Sequence, residues 1–291
     1  MQQNISFSQN GEDILLKRVF AGEKKGFYID IGASHPDRLS VTKIFYDAGW
    51  NGINVDPVKN SMELFGIHRP RDINLNLAIA SDNEKIKFWE VSDNTELSTS
   101  SAELAKSWTT KFHKIKSYTV NTLTCNELFE RYVKNTVDFL KIDVEGSEKN
   151  VIQSLDLKIH RPKVLVIEST IPDYPFPGWE NLNSILNHGE WEYMILNNGY
   201  DFVHFDGLNR YYVREENKEL TKFFDVGLCL WDDYITHPSY ELIGGLQSDL
   251  QKLTKQLTES ETDRDERLKQ IQALTKQLTE SETGLKHHNA P

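Results

Sequence analysis

The chain has 291 residues, of which 38% are hydrophobic and 11% aromatic, which allows one substantial core with an appendage. Residues 1–245 contain 26 basic and 36 acidic side chains, a net charge of −10. An acidic body repels a phosphate backbone, so nucleic acid is not expected as substrate or partner. The two cysteines, Cys125 and Cys229, form no CxxC pair, which predicts reduced structural thiols.

The first 13 residues are polar and acidic, where a secretory signal would be basic and then apolar. No apolar run approaches the roughly 20 residues that a bilayer-spanning helix requires. The sequence therefore predicts a cytoplasmic protein without a membrane span.

Short apolar runs alternate with helical patterns along the body of the chain. The runs predict strands at Phe27–Ile31, Ile53–Val55, Leu75–Ile79, Phe139–Val144, Val164–Ile167 and Tyr193–Leu196. The helical patterns lie at Glu12–Val19, Ser40–Ala48, Glu127–Val133, Ser147–Leu155 and Trp179–Leu186. This alternation predicts an α/β fold with a mainly parallel sheet covered on both faces. Two strand-like runs after Gly199 predict an antiparallel hairpin that closes the sheet.

The composition changes at Leu246 to leucine, threonine, glutamine, lysine and glutamate. The decapeptide LTKQLTESET occurs at 253–262 and again at 274–283, a period of 21 residues or three heptads. We therefore predict a globular domain over 1–240 and a coiled-coil tail over 246–286. The heptad seam is apolar at both ends and polar in the middle, so weak self-association or binding to a partner helix is expected. A solvated, partly helical tail is the alternative.

The strand Phe27–Ile31 runs directly into a turn of small residues. In an open parallel sheet, ligands bind beyond the carboxyl ends of the strands at a topological switch point. Glycine in the turn lets the backbone approach a ligand closely, and the preceding aspartate places a carboxylate near it. The candidate cofactor contacts at this turn are Asp30, Gly32, Ala33 and Ser34.

Asp56 follows the next predicted strand, where a carboxylate can accept hydrogen bonds from both hydroxyls of a ribose. A dinucleotide also contains a ribose, but no GxGxxG is present to bind its pyrophosphate. S-adenosylmethionine has a ribose and no phosphate, so it fits better. Ser81 and Asp82 follow another predicted strand and are candidate adenine contacts, with an ordinary turn as the alternative.

Asp143 and Glu145 are two residues apart at the end of a predicted strand, so their side chains point to the same face. Two neighbouring carboxylates repel each other unless a cation or a proton lies between them. The cation could be a lysine, a divalent metal or the cofactor's sulfonium. The alternative is that Ser147 and Glu148 begin a capped helix and Glu145 faces solvent.

Four blocks occur in a fixed order along the chain. They are SQNGED at 8–13, GFYIDIGASHPDRLSVT at 26–42, GWNGINVDP at 49–57 and DFLKIDVEGSEKNVI at 138–152. Together they resemble the signature of FkbM-family methyltransferases, and the resemblance covers residues 5–235. Asp56 stands where many members have glutamate, and His35 stands where asparagine is frequent.

The resemblance implies a class I Rossmann-like methyltransferase that uses S-adenosylmethionine, usually to O-methylate a sugar or a polyketide-type hydroxyl. Similar members act in bacterial capsule and surface-polysaccharide biosynthesis, where the acceptor can be a nucleotide-linked sugar such as a heptose. The rival interpretations are an NAD-dependent oxidoreductase and an inert Rossmann-like scaffold that works through its coiled coil. The segment 172–179, rich in proline and aromatic residues, is a candidate rim for the acceptor site.

Methylation of an alcohol requires a group that removes its proton. The candidate bases are Glu145, Asp143, His35 and Glu168. A magnesium ion held by Asp143 and Glu145 is a second route, which catechol-type relatives of the fold use. Direct base catalysis is favoured, because no third ligand lies nearby in the sequence.

Overall fold

The computed structural model describes residues 4–92, 94–109, 114–172, 174–175 and 177–288. The chain divides into two compact units, Met1–Thr236 and His237–Pro291. The strands of the first unit are β1 (Asn4–Ser6), β2 (Phe27–Ile31), β3 (Asn51–Val55), β4 (Ile73–Leu75), β5 (Ala78–Ile79), β6 (Ile86–Val91), β7 (Ile115–Val120), β8 (Thr122–Leu123), β9 (Phe139–Ile142), β10 (Val164–Glu168), β11 (Tyr200–Phe205), β12 (Asn209–Arg214) and β13 (Tyr234–Thr236).

The helices of this unit are mostly short. The α-helices are α1 (Glu12–Val19), α2 (Lys43–Asp47), α3 (Lys59–His68), α4 (Ala102–Trp108), α5 (Cys125–Tyr132), α6 (Glu148–Gln153) and α7 (Glu192–Leu196). The 3-10 helices are Thr95–Leu97, Trp179–Ile185, His188–Glu190, Glu215–Phe223 and Leu230–Asp232.

Seven strands form the central sheet in the order β11-β12-β10-β9-β2-β3-β4. The five strands from β10 to β4 are parallel, and β12 runs antiparallel to both β10 and β11. The order reverses at β2, because the chain first adds β3 and β4 on one side and then β9 on the other. The prediction of an α/β fold with a mainly parallel sheet is confirmed, and the switch point lies between β2 and β9.

The central strands are buried on both faces. Ile29 and Ile31 belong to one apolar cluster, which also contains Leu128 of α5. Tyr28, which points to the opposite face, belongs to a second cluster with Trp50 and Phe139. Because side chains alternate along a strand, burial on both faces requires a continuous apolar run. This is why the apolar pattern located the central strands.

The predicted strand Leu75–Ile79 is wrong. The strand β4 ends at Leu75, and the next strand, β5, pairs with β8 outside the main sheet. Asn76 lies at the break, and its Nδ2 donates hydrogen bonds to the carbonyl oxygens of Asp56 at 3.1 Å and Pro57 at 2.9 Å. An asparagine that bonds to backbone in this way competes with strand pairing, so the apolar run divides into two short strands.

The predicted strand Tyr193–Leu196 is also wrong, because these residues lie in α7. Trp191 and Ile195, four residues apart, are both buried in the same core cluster. Residues at this spacing share one face of a helix. A short apolar run in a sequence does not distinguish a strand from a buried helical turn. The burial of residues i and i+4 in the structure is the pattern of a helix.

The second unit contains α8 (His237–His288), which begins earlier in the chain than the predicted tail start at Leu246. Leu250, Leu253 and Leu257 are 62–65% exposed. Leu278, Ser281 and Leu285 of the predicted seam lie outside the described side chains. The tail is thus helical, and its assembly as a coiled coil stays a prediction. Among the described helices, none combines the length and apolar character that a bilayer span requires.

Candidate active site

A cavity that is open to solvent, with about 820 Å³ of empty space including its mouth, lies beyond the carboxyl ends of β2, β3 and β9, at the switch point of the sheet. The polar part of its wall contains Ser34, Asp56, Asp143 and Glu145. The apolar part contains Ala78, Ile79 and Phe88, from β5 and β6. This position is where open α/β sheets bind their ligands.

The turn after β2 forms one side of the cavity and packs directly against the end of β9. Gly32 has a φ of +84°, and a Cβ at this position would lie 1.6 Å from the carbonyl oxygen of Asp143. The Gly32 N–H donates to the carbonyl of Val55 at 2.9 Å, which holds the turn against β3. Ser34 also has a left-handed φ, of +52°. The turn therefore packs this closely against the end of β9 only because glycine occupies position 32.

Asp56 lies at the end of β3 and faces the cavity. Its carboxylate accepts hydrogen bonds from the N–H groups of Ser34 at 3.0 Å and Val58 at 2.7 Å. Burial raises the pKa of Asp56 to about 6. Ser34 Oγ is buried in the same wall and has no hydrogen-bond partner in the described part of the chain. The wall therefore offers a carboxylate and an unengaged hydroxyl to a ligand rich in hydroxyl groups.

Cofactor binding is expected to weaken as the pH falls below about 6, because protonation of Asp56 removes the charged acceptor. Asp56→Asn is expected to lower affinity at pH 8 by roughly tenfold to a hundredfold, the value of a lost charge-assisted hydrogen bond, and to flatten the pH dependence. Titration calorimetry with S-adenosylmethionine between pH 5 and pH 8 measures both effects. Asp82→Asn is the matched control, since Asp82 is exposed. An unchanged affinity for Asp56→Asn would contradict the assignment.

Asp30 lies behind the cavity wall and is only 1% exposed. Its Oδ1 is 3.5 Å from Lys141 Nζ, and its Oδ2 accepts a hydrogen bond from Thr42 Oγ1 at 3.2 Å. Lys141 Nζ is also 3.2 Å from Asp143 Oδ2. Burial lowers the pKa of Lys141, but the charges of Asp143 and Asp30 outweigh it and hold the pKa above its ordinary value. Asp30 thus supports the site through Lys141, instead of lining the cavity as expected.

Three carboxylates converge where β9 and β10 end. Oxygen atoms of Asp143, Glu145 and Glu168 all lie within 4.8 Å of one another. Glu145 has a left-handed φ of +53°, a strained conformation for a residue other than glycine, and its carbonyl accepts a hydrogen bond from Thr99 Oγ1 at 2.7 Å. The fold therefore holds Glu145 in an unfavourable backbone conformation that keeps it beside the other two acids.

These acids lie between the first cavity and a second one of about 790 Å³. Glu145 lines both cavities, and Glu168 lines the second. Burial raises the pKa of Glu168 well above its ordinary value, and the charges of Asp143 and Glu145 raise it further. Burial likewise raises the pKa of Glu148, to about 7, although the N–H groups of Val144 and Gly146 donate to its Oε1. The site thus contains an excess of buried acid.

The structure does not bring Ser81, Asp82 or His35 into this group. Ser81 and Asp82 are exposed, and none of the three lies in the wall of the first cavity. His35 Nδ1 accepts hydrogen bonds from the N–H groups of Asp37 at 3.1 Å and Arg38 at 3.0 Å. Burial lowers the pKa of His35, and the charge of Arg38 lowers it further. His35 therefore stabilises its own loop.

Gln9 is a further candidate site residue, which was not predicted from the sequence. It lines the first two cavities and also a third, of about 920 Å³. Both of its neighbours are anchored, since Ser8 Oγ donates to Asp13 Oδ1 at 2.7 Å and Asn10 Nδ2 donates to the Asp206 carbonyl at 3.0 Å. The block at 8–13 therefore fixes the backbone of Gln9 at the junction of the cavities. The sequence block at 8–13 is the feature from which Gln9 could have been identified as a candidate.

The strand order, the glycine turn and the polar cavity at the switch point are consistent with a Rossmann-like methyltransferase. The methyltransferase FkbM domain family matches residues 30–202, which is more than half of the chain. The chain therefore belongs to the FkbM family of methyltransferases, and the resemblance seen in the four sequence blocks is confirmed. None of the curated proteins matches the chain with significance. Membership of the family implies S-adenosylmethionine as the methyl donor.

Proposed function

We propose that this protein is a cytoplasmic O-methyltransferase that transfers the methyl group of S-adenosylmethionine to a hydroxyl of a sugar. A nucleotide-linked sugar of bacterial capsule or surface-polysaccharide biosynthesis, such as a heptose, is the proposed acceptor. The observation that supports transfer of a group from a cofactor to an acceptor is a pair of adjoining cavities. They share Gln9, Leu39, Glu96 and Glu145. The family resemblance supplies the acceptor class.

The residues of the first cavity fit the cofactor. Asp56 is placed to accept hydrogen bonds from ribose hydroxyls, and the unengaged hydroxyl of Ser34 lies in the same wall. The apolar wall at Ala78, Ile79 and Phe88 suits a flat adenine ring. When bound, S-adenosylmethionine supplies a methyl group on a positively charged sulfonium. The nearby carboxylates of Asp143 and Glu145 favour that positive charge.

The acceptor oxygen gains a methyl group and loses its proton, so the protein must remove one proton in each turnover. An alcohol is a weak nucleophile at neutral pH, and alignment of the reacting groups supplies a further part of the rate. Asp143, Glu145 and Glu168 form an acidic cluster between the two cavities, while Glu96, which also lines both, is paired with Arg38 at 2.9 Å. Within the cluster, Glu145 is the best placed to act on the acceptor, because it borders both cavities.

The second and third cavities are suited to a sugar. The second cavity is lined by Tyr174 and Ile185 as well as by the carboxylates, and the third is lined by Trp179, which is 78% exposed. Aromatic side chains present an apolar face together with a polar edge, as a sugar ring does. Asp173 and Phe176, which belong to the predicted rim at 172–179, lie outside the described residues.

The rival interpretation as an NAD-dependent oxidoreductase lacks support. A pyrophosphate normally binds at a helix N-terminus directly after the first strand of the fold. Here the first helix after β2 begins only at Lys43, and the turn contains one glycine, Gly32. An inert scaffold would not require three converging acids, one of them buried, beside an open cavity. The arrangement favours catalysis.

The proposal is tested by incubating the full chain with S-adenosylmethionine and a panel of sugars and nucleotide sugars. Mass spectrometry should detect one added methyl group on an acceptor. Glu145→Gln is expected to lower turnover by about a hundredfold or more, because it removes the acid at the junction. Glu63→Gln, on the exposed face of α3, is the control. A protein that binds no S-adenosylmethionine would contradict the proposal.

We propose that α8 mediates weak self-association and contributes nothing to the chemistry. Truncation after Gly244 removes the heptad repeats and no residue of the cavities. Turnover should therefore stay within about twofold of the full chain, while concentration-dependent assembly should be lost, since isolated amphipathic helices need a partner. Light scattering over a range of concentrations measures the assembly. Equal masses per chain at high concentration would rule out self-association through the tail.

A further inference from the structure

The three converging carboxylates come from two neighbouring parallel strands. Asp143 and Glu145 follow β9, and Glu168 ends β10, which is paired with β9 in the sheet. Along the sequence only two of these ligands, Asp143 and Glu145, lie close together, which by itself disfavours a metal. Strand pairing brings Glu168 to within 4.8 Å of both, so a third oxygen ligand is present.

A lysine contacts one of the three carboxylates of this cluster. Three carboxylates this close repel one another strongly unless a cation or a proton lies between them. Lys141 Nζ contacts Asp143, at 3.2 Å, but its other ion pair is with Asp30 behind the cavity wall. In the described part of the chain, the ion pairs of Lys141 thus do not include Glu145 or Glu168.

A second observation concerns the hydrogen bonding of Glu168. The residue is 7% exposed, and its Oε2 has no hydrogen-bond partner in the described part of the chain. Its Oε1 accepts only a long hydrogen bond from Thr170 Oγ1, at 3.5 Å. A buried carboxylate oxygen is costly unless a donor or a cation satisfies it, and this one belongs to the group that faces Asp143 and Glu145.

We propose that Asp143, Glu145 and Glu168 bind a divalent cation, magnesium or manganese, between the cofactor cavity and the acceptor cavity. The donor set consists of carboxylate oxygens alone, which hard cations of this kind prefer. Three ligands leave positions open for water or for acceptor hydroxyls. The position of the site also gives the cation a role in catalysis, which rests on the proposed function: it would bind the acceptor hydroxyl and lower its pKa.

The site is tested directly by titrating metal-stripped full-length protein with Mn²⁺, followed by electron paramagnetic resonance. We expect one Mn²⁺ per chain with competition by Mg²⁺. Glu168→Gln and Glu145→Gln should each weaken Mn²⁺ binding by about tenfold or more, because each removes a charged ligand. Glu63→Gln should leave it unchanged. The affinity of Glu168→Gln for S-adenosylmethionine should stay within about twofold of that of the wild type, which checks that the variant is folded.

The outcomes separate this proposal from the proposed function. Failure to bind Mn²⁺ at millimolar concentration, or equal affinity in the wild type and both variants, would overturn the site and leave a shared proton as the balancing charge. Methyl transfer that persists in a chelator would overturn the catalytic role of the cation. Mn²⁺ binding that depends on Glu168, in a protein that methylates no acceptor, would support the site while contradicting the proposed function.

Discussion

Gly32→Ala is expected to abolish cofactor binding and to lower the free energy of unfolding of the catalytic unit by more than about 4 kcal/mol. An added Cβ would lie 1.6 Å from the Asp143 carbonyl oxygen, which is backbone and has little freedom to move. The φ of +84° adds roughly 1–2 kcal/mol of strain for any residue with a Cβ. The turn must therefore move away from β9, and the cavity wall moves with it.

Denaturant unfolding and titration calorimetry with S-adenosylmethionine measure the two effects. Gly66→Ala is the matched control, because Gly66 lies inside α3 and an added Cβ there meets no atom within 4 Å. That variant should be more stable by about 0.5–1 kcal/mol, since alanine is the better helix former. If Gly32→Ala behaves like Gly66→Ala, the close packing of the turn against β9 is wrong.

The parts of the fold that the sequence predicted are those determined by local patterns. The helix Glu12–Val19 and the strand Phe27–Ile31 have the predicted ends, because glycine precedes the helix and a polar turn follows the strand. Asp56 and Glu145 both line the cavity, because the carboxyl ends of parallel strands meet at one edge of a sheet, and their roles in cofactor binding and catalysis stay predictions.

The parts that the sequence did not predict depend on contacts between distant segments. Glu168 joins Asp143 and Glu145 only through the pairing of β10 with β9, which the spacing of the motif does not reveal. Lys141 was visible as a lysine within an apolar strand, but its partner Asp30 comes from β2. Gln9 reaches the cavities because the loop before α1 is anchored through Asn10 to Asp206, in the turn between β11 and β12.

The second large effect is expected for Lys141→Met, which removes the buried lysine between Asp30 and Asp143. The substitution nearly preserves the volume of the side chain but leaves the carboxylate of Asp30, 1% exposed, without its cation. Removal of one partner from a buried ion pair typically costs about 3–5 kcal/mol, because the remaining charge is not compensated. We expect a loss in this range at pH 7, together with weaker cofactor binding, since Asp143 in the cavity wall loses the same partner.

Lys163→Met provides the comparison at the opposite end of the sheet. Lys163 Nζ lies 2.7 Å from Asp138 Oδ1. The Asp138 carboxylate is 9% exposed, but it keeps the hydrogen bond that the Phe27 N–H donates to its Oδ2 at 2.8 Å. Lys163→Met should therefore lose less stability than Lys141→Met, and it should bind S-adenosylmethionine normally, because Lys163 is not part of the cavity wall. The double variant Asp30→Asn with Lys141→Met should recover part of the stability, because it removes the uncompensated charge. Equal losses in Lys141→Met and Lys163→Met, with no recovery in the double variant, would show that Lys141 does not balance the buried acids. The cluster at β9 and β10 would then have its charge compensated from elsewhere in the site.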